Sequence, residues 1–244
     1  VEWGAKRIVL ARELTLDEIK EIAQTVGDRV ELETFVHGAM CISYSGRCLL
    51  SDYLTGRHSN EGACAQCCRW EYSLLENSRG EAFPIEEDGR GTYILNSRDM
   101  NMLAHLDELL KAGVTGLKIE GRVKSTYYVA CIVNAYRRAL DAIAAGKAIP
   151  PEVLLEPEKT SHRSFGTGFY FGAPGEYYPS SKPQTDYDFS GIVADVFDGG
   201  TIVEMRNRFR VGDSLEVLAP HDGFLRTVTV THMQDEAGAP IDEV

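Results

Sequence analysis

Apolar positions along the first 145 residues switch repeatedly between two rhythms. Arg7-Ile-Val-Leu-Ala11 is a compact apolar run that predicts a buried strand. Glu13 to Gln24 follows, with Leu16, Ile19 and Ile22 at helical spacing; Thr15 and Glu18 stand three apart, as in a capping box. Glu31 to Val36 predicts the next strand and Arg69 to Glu76 a helix. Thr92 to Leu95 predicts a strand that ends in the polar stretch Asn96 to Asp99. Met102 to Lys111 carries Leu103, Leu106, Leu109 and Leu110 and predicts a helix closed by Gly113. Leu117 to Glu120 is a further strand, and Thr126 to Ala144 a long helix. Such alternation predicts an α/β fold built on a parallel sheet or barrel.

Past Gly146 the periodicity fades. The stretch from Ile149 to Pro183 is rich in Pro, Gly, Ser and aromatic residues and is expected to connect two domains while packing on the first. From Asp188 onward strand patterns dominate, over Ser190 to Phe197, Thr201 to Phe209, Ser214 to Leu218 and Phe224 to His232. Asp198-Gly-Gly200 and Val211-Gly-Asp213 supply turns, so a small antiparallel β-barrel is expected at the end of the chain. The domain reading is therefore 1–148, a connecting segment 149–186, and 187–244.

With 43% hydrophobic and 25% charged residues, the composition is that of a globular protein. No apolar run approaches the roughly 20 residues of a membrane span, so no membrane partner is expected and the cytoplasm is the expected location. A formal charge of −12 argues against broad nonspecific nucleic-acid binding, although a local basic path remains compatible with it. The chain opens on Val1 rather than Met and is expected to be a fragment of something longer.

The cysteines change the picture most. Five of six fall between Cys41 and Cys68, in the arrangement Cys41-x₆-Cys48-x₁₅-Cys64-x₃-Cys68 with Cys67 beside the last. Without a signal-peptide pattern, such a cluster reads as a metal or iron–sulfur site before a disulfide framework. The gaps fit no common zinc ribbon, which uses two short knuckles, yet spacing alone leaves iron–sulfur, zinc and free or paired thiols all open. Cys131 sits on the apolar face of the long helix and reads as a small buried hydrophobe.

Glu33-Thr-Phe-Val-His-Gly-Ala-Met-Cys41-Ile-Ser-Tyr-Ser-Gly46-Arg-Cys48-Leu-Leu-Ser51, continued by Gly62-Ala-Cys64-Ala-Gln-Cys-Cys68-Arg-Trp-Glu-Tyr72, resembles the defining motif of the U32 family, long filed as collagenase-like peptidases. Tyr93-Ile-Leu-Asn-Ser97, Leu117-Lys-Ile-Glu-Gly-Arg122, Ser161-His-Arg163, Thr167-Gly-Phe169, Asn207-Arg-Phe209 and Val211-Gly-Asp213 extend the resemblance in order along the chain. The resemblance is greatest to the branch that adds a hydroxyl to carbon 5 of the tRNA wobble uridine, without oxygen and in a prephenate-dependent way. Other relatives hydroxylate ribosomal RNA or ubiquinone precursors. The resemblance implies a [4Fe–4S] cluster held by Cys41, Cys48, Cys64 and Cys68, with Cys67 able to replace Cys68. It implies prephenate as co-substrate and tRNA as partner. It also implies a fold class: the C-terminal half of a TIM-like (β/α) barrel followed by a small β-barrel, the missing N-terminal barrel half coming from the same protein or a partner chain.

Candidate site residues lie at strand ends, where parallel barrels place their chemistry. His37, Glu120 and Arg122 are the catalytic candidates, His37 either hydrogen-bonding a cluster sulfur or simply packing. Arg122, Lys124, Arg98, His162 and Arg163 are the substrate-binding candidates, Arg122 first for a dicarboxylate. Glu120, Arg122 and Lys124 would share one side of a continued strand, and an ion-paired network at the barrel mouth explains them equally well. Asp99 reads as the N-cap of the helix that follows it. Arg206, Arg208 and Arg210 alternate on a strand face that is either solvated or phosphate-binding.

An iron–sulfur RNA hydroxylase is thus the leading expectation. A peptidase finds no His-Glu-x-x-His or Gly-x-Ser-x-Gly motif to support it. A noncatalytic RNA-binding module with structural zinc is the third reading, separable by metal content.

Overall fold

The computed structural model describes residues 3–41, 43–70, 73–76, 81–84, 98–172, 185–220 and 225–244. Two compact units divide the chain, Val1–Gln184 and Thr185–Val244.

In the first unit, strand β1 (Arg7–Val9) leads into helix α1 (Leu16–Val26), which starts where Thr15 accepts the Glu18 N–H and Glu18 reaches back to the Thr15 N–H at 2.8 Å. The capping box expected from the sequence is present. Strand β2 (Glu31–Ala39) follows, then the cysteine segment with helix α2 (Leu50–Thr55). Strands β3 (Ser73–Glu76) and β4 (Glu81–Pro84) form an antiparallel hairpin. The helix expected over Arg69 to Glu76 is therefore corrected: its second half pairs with a strand downstream, an interaction no local pattern encodes. The strand expected over Thr92 to Leu95 lies outside the described residues.

Strand β5 (Asp99–Asn101) and helix α3 (Leu106–Lys111) come next. Gly113, at φ 95°, closes α3: its N–H bonds to Leu110 and the Val114 N–H to Leu109, while Val114 and Leu109 are both buried. Strand β6 (Gly116–Ile119) precedes helix α4 (Thr126–Ala144), whose Ser125 cap accepts the Tyr128 N–H. Helix α4 buries Tyr128, Cys131, Ile132, Ala135, Tyr136 and Ala139, one continuous stripe. Cys131 is fully buried there, as expected. The stretch from Pro151 to Gly166 carries a short helix α5 (Pro151–Leu155), a 3₁₀ turn and strand β7 (Phe165–Gly166).

One sheet joins these strands. β1 and β6 both pair with β2 in parallel, whereas β5 pairs antiparallel with the end of β2 and parallel with β7. Its core includes Ile19, Leu32, Val36, Met100, Met102, Leu103, Leu106, Leu109 and Ile132, each worth about 1.5–3 kcal/mol on burial. The α/β class with a parallel sheet is as expected. Among the described residues this sheet does not close on itself.

The second unit consists of two antiparallel hairpins, β8 (Gly191–Phe197) with β9 (Gly200–Met205) and β10 (Ser214–Val217) with β11 (Arg226–Thr229). An isolated bridge joins Arg210 to Glu243.

Candidate functional site

Parallel strands β1, β2 and β6 all end at one edge of the sheet, the side on which open α/β sheets hold their ligands. Arg12 and Glu13 follow β1, Met40 and Cys41 follow β2, and Glu120 to Arg122 follow β6. Pairing of β2 with β6 shifts register between Phe35 and His37. Consecutive carbonyls then bond to different neighbours, Val36 to the Met102 N–H and His37 to the Glu120 N–H. The irregularity also breaks the in–out alternation of the strand, so that Val36 and His37 are both buried. Gly38, at φ 110°, lets the two strand ends meet: a Cβ there would lie 2.3 Å from the Glu120 carbonyl oxygen.

His37 is 1% exposed. The Tyr136 hydroxyl donates to the Val36 carbonyl at 2.7 Å and accepts the Met102 N–H at 3.2 Å. With its proton so committed, it is an acceptor for Nδ1–H of His37, 3.3 Å away. That tautomer leaves Nε2 of His37 as an enclosed lone pair with no hydrogen-bond partner among the described residues. Burial pushes the His37 pKa down to about 3, Asp99 and the Asn101 side chain opposing the shift and His162 and Lys124 adding to it. The ring is therefore neutral at any ordinary pH.

Around it lies a buried polar network. Asp99, 2% exposed, accepts from the Arg163 N–H and from its guanidinium, both at 3.2 Å, with Lys124 Nζ at 4.0 Å. Lys124 donates to the Ser161 carbonyl at 2.8 Å and lies over the Tyr128 ring. His162 stacks on Phe165 with rings 4.2 Å apart, and its nitrogens face the Arg163 carbonyl at 2.7 Å and Glu158 at 3.1 Å. Arg98 packs its stem against Gly166.

The cysteine segment borders the same edge. No disulfide joins the six cysteines; Cys41 is exposed, Cys67 buried, and Cys48, Cys64 and Cys68 half-buried. Burial raises the Cys41 thiol pKa; an N–H from Ser43 opposes that, and nearby Cys48 and Cys64 raise it further. Burial also works against the Cys48 thiolate, but hydrogen bonds from Ser43, Ser59 and the Leu50 and Ser51 amides at the start of α2 outweigh it, and that pKa falls. Three of the four expected ligands are thus electrostatic neighbours, a donor set of soft thiols suited to iron–sulfur or zinc. Among the described residues no three metal-ligating side chains converge as a finished site.

Candidates from the sequence fall into different places. Strand β6 stops at Ile119 and turns, so Glu120, Arg122 and Lys124 do not share a face. Glu120 faces Arg12 at 3.7 Å, the exposed Arg122 reaches over Gly62 of the cysteine segment, and Lys124 joins the Asp99 network. His162 and Arg163 are buried rather than presented to a macromolecule. Asp99 is corrected from helix cap to buried partner of Arg163; the Leu103 N–H is capped by Asn101 at 3.0 Å instead. Arg206 and Arg210 pair with Glu204 and Glu243 on the surface.

Sequence reasoning missed Arg12 and Tyr136. Arg12 lies over Phe35 at 3.9 Å, and burial lowers its pKa despite Glu120 nearby. The one available signal for it was its place, a charged pair directly after a predicted strand.

Residues 1–178 match the family described as Peptidase family U32, and residues 185–244 the Peptidase family U32 C-terminal domain. The chain is 37% identical to tRNA hydroxylation protein P1 of Bacillus subtilis, over 99% of its own length and 58% of that protein. It is 36% identical to tRNA hydroxylation protein P of Escherichia coli, over 97% and 62%. A collagenase of Porphyromonas gingivalis is 32% identical over 89% and 56%. The chain thus spans about three fifths of the length of these curated relatives. No solved structure matches it.

Proposed function

Because the chain belongs to peptidase family U32, we propose that it is the larger part of an oxygen-independent RNA hydroxylase that acts on carbon 5 of the tRNA wobble uridine. The observation that carries this reading is a cysteine segment without disulfides that leaves the end of a parallel strand, in a chain similar over nearly its whole length to tRNA hydroxylation proteins.

Cys41, Cys48, Cys64 and Cys68 would hold a [4Fe–4S] cluster. Cys67, 2% exposed, is the alternative to the half-buried Cys68 as fourth ligand. Such a cluster supplies electron-transfer chemistry when bound. Prephenate would serve as co-substrate, with Arg122 exposed to receive a carboxylate. The sheet would be the C-terminal half of a TIM-like barrel completed by the same protein or a partner chain, the second unit a small β-barrel, and the setting the cytoplasm. His37, neutral and enclosed, would position its strand end instead of shuttling protons, and Glu120 would orient Arg12.

A peptidase reading has the family name and one relative's name behind it. It gains no support from His37, which is buried, bonded to Tyr136 and without a thiol partner among the described residues.

Anaerobic purification followed by iron, sulfide and zinc analysis tests the proposal. We expect about four irons and four sulfides per chain, with a broad band near ~400 nm that dithionite bleaches. Cys64→Ser and Cys68→Ser should lose the iron, and Cys67→Ser should keep it. One zinc without sulfide would leave the zinc-bearing RNA-binding module instead. Mass spectrometry of the wobble uridine in a deletion strain then tests the reaction itself.

A further inference from the structure

A cavity of about 140 Å³ opens between the ends of β1 and β2, lined by Arg12, Glu13, Met40, Cys41, Tyr44 and Phe169 together with Ser43 and Ser45. Its polar groups are incompletely used. Among the described residues Arg12 makes one hydrogen bond, a long one of 3.5 Å to the Ala39 carbonyl, and meets Glu120 only at 3.7 Å. A guanidinium has five N–H donors, so several are left to point elsewhere. Glu13 accepts the Ser45 N–H on Oε1 at 2.6 Å, whereas its Oε2 is buried without a hydrogen-bond partner among the described residues. A sparsely bonded guanidinium and a buried unmet acceptor therefore face one small space whose other walls are Met40, Cys41, Tyr44, Phe169 and two serines. A buried acceptor such as Glu13 Oε2 is costly in that condition unless a ligand satisfies it.

The balance of charge selects the ligand. Arg12 is offset by Glu13 and Glu120, so a free carboxylate or phosphate gains little there and a neutral polar ring gains most. The volume admits one single-ring heterocycle and is too small for a purine nucleoside. Tyr44, 65% exposed at the mouth, offers a face for stacking.

We infer that this cavity receives a single flipped-out uracil base, Arg12 donating to a ring carbonyl and Glu13 Oε2 accepting the N3–H, with Cys41 beside it. Enzymes that modify a base extract it from its stack and read its Watson–Crick edge in this manner. Assigning the base to RNA rests on the RNA-hydroxylase reading above. Cytosine presents a lone pair at N3 where uracil presents N–H, so Glu13 rejects it.

The test is fluorescence anisotropy of the full chain with anticodon stem-loops that carry U or C at the wobble position. The wild type is expected to prefer the U loop by about 10-fold or more. Glu13→Gln retains a carbonyl for the Ser45 N–H but can donate as well as accept, so it should bind both loops alike at near wild-type strength. Arg12→Gln should weaken the U loop alone. Should Arg12→Gln misfold, the Glu13→Gln comparison still decides. Equal binding of both loops by the wild type, or an unchanged preference in Glu13→Gln, would overturn the base pocket and leave the RNA reading standing. Binding of neither loop would overturn both.

Discussion

His37 shows most plainly how a residue's surroundings override its usual chemistry. Histidine ordinarily titrates near 6.5, but burial holds this ring's pKa at about 3, with Asp99, Arg163, Lys124 and His162 the charged or titratable groups around it. Its folded pKa lies below its unfolded value, so the stability it contributes is complete above about pH 6.5. That contribution is lost progressively as the pH falls toward 3, because the unfolded chain takes up a proton that the folded ring refuses. Between pH 7.5 and 5 the loss should be about 2 kcal/mol. Urea unfolding at the two pH values measures it, and His37→Gln should remove that part of the difference. A variant with the wild-type slope would mean that the ring is solvated in solution.

At the scale of elements, local pattern and tertiary pairing can be separated. Helices α1 and α4 were legible because their signals are local: a capping box at Thr15 and Glu18, and an apolar stripe running from Thr126 to Ala144. The hairpin of β3 and β4 was not, since Ser73–Glu76 owes its extended form to a partner eight residues downstream. Nor was the burial of Asp99, whose partner Arg163 is 64 residues away. Strand β2 mixes both kinds of information. Its existence could be read from the sequence, but the register shift that buries His37 depends on β6. Gly38 is where this matters energetically. Ala at that position combines a strained φ of 110° with a Cβ 2.3 Å from the backbone of Glu120. Gly38→Ala should therefore cost about 3 kcal/mol or more, read as a lowered denaturant midpoint. A loss below about 1 kcal/mol would show that the ends of β2 and β6 part readily, and with them the edge that carries the candidate site.

Over the whole molecule, the acidic balance constrains how the proposed RNA substrate would be held. A chain of net charge −12 repels a polyanion except where its cations gather. From Cys41 to Trp70 three arginines, Arg47, Arg57 and Arg69, stand against two carboxylates, Asp52 and Glu61, so this stretch leans positive within an acidic body. It also exposes aromatic rings: Tyr44 at 65%, Tyr53 at 87% and Trp70 at 49%. Among the described residues these rings are left in water, and base stacking is a use that suits them. Binding should therefore depend more on stacking than on phosphate contacts. With about 0.7 ion released per phosphate on a single strand, three arginines predict a slope of log K against log[salt] near about −2. Tyr53→Ala should weaken an anticodon-loop RNA by roughly 5- to 150-fold with the slope unchanged, since each stacked base is worth about 1–3 kcal/mol. Arg57→Ser should instead make the slope shallower by about 0.7. A salt titration of the three proteins separates these outcomes. A slope steeper than about −5, or indifference to Tyr53, would place the RNA on cations outside the cysteine segment and detach that segment from substrate recognition.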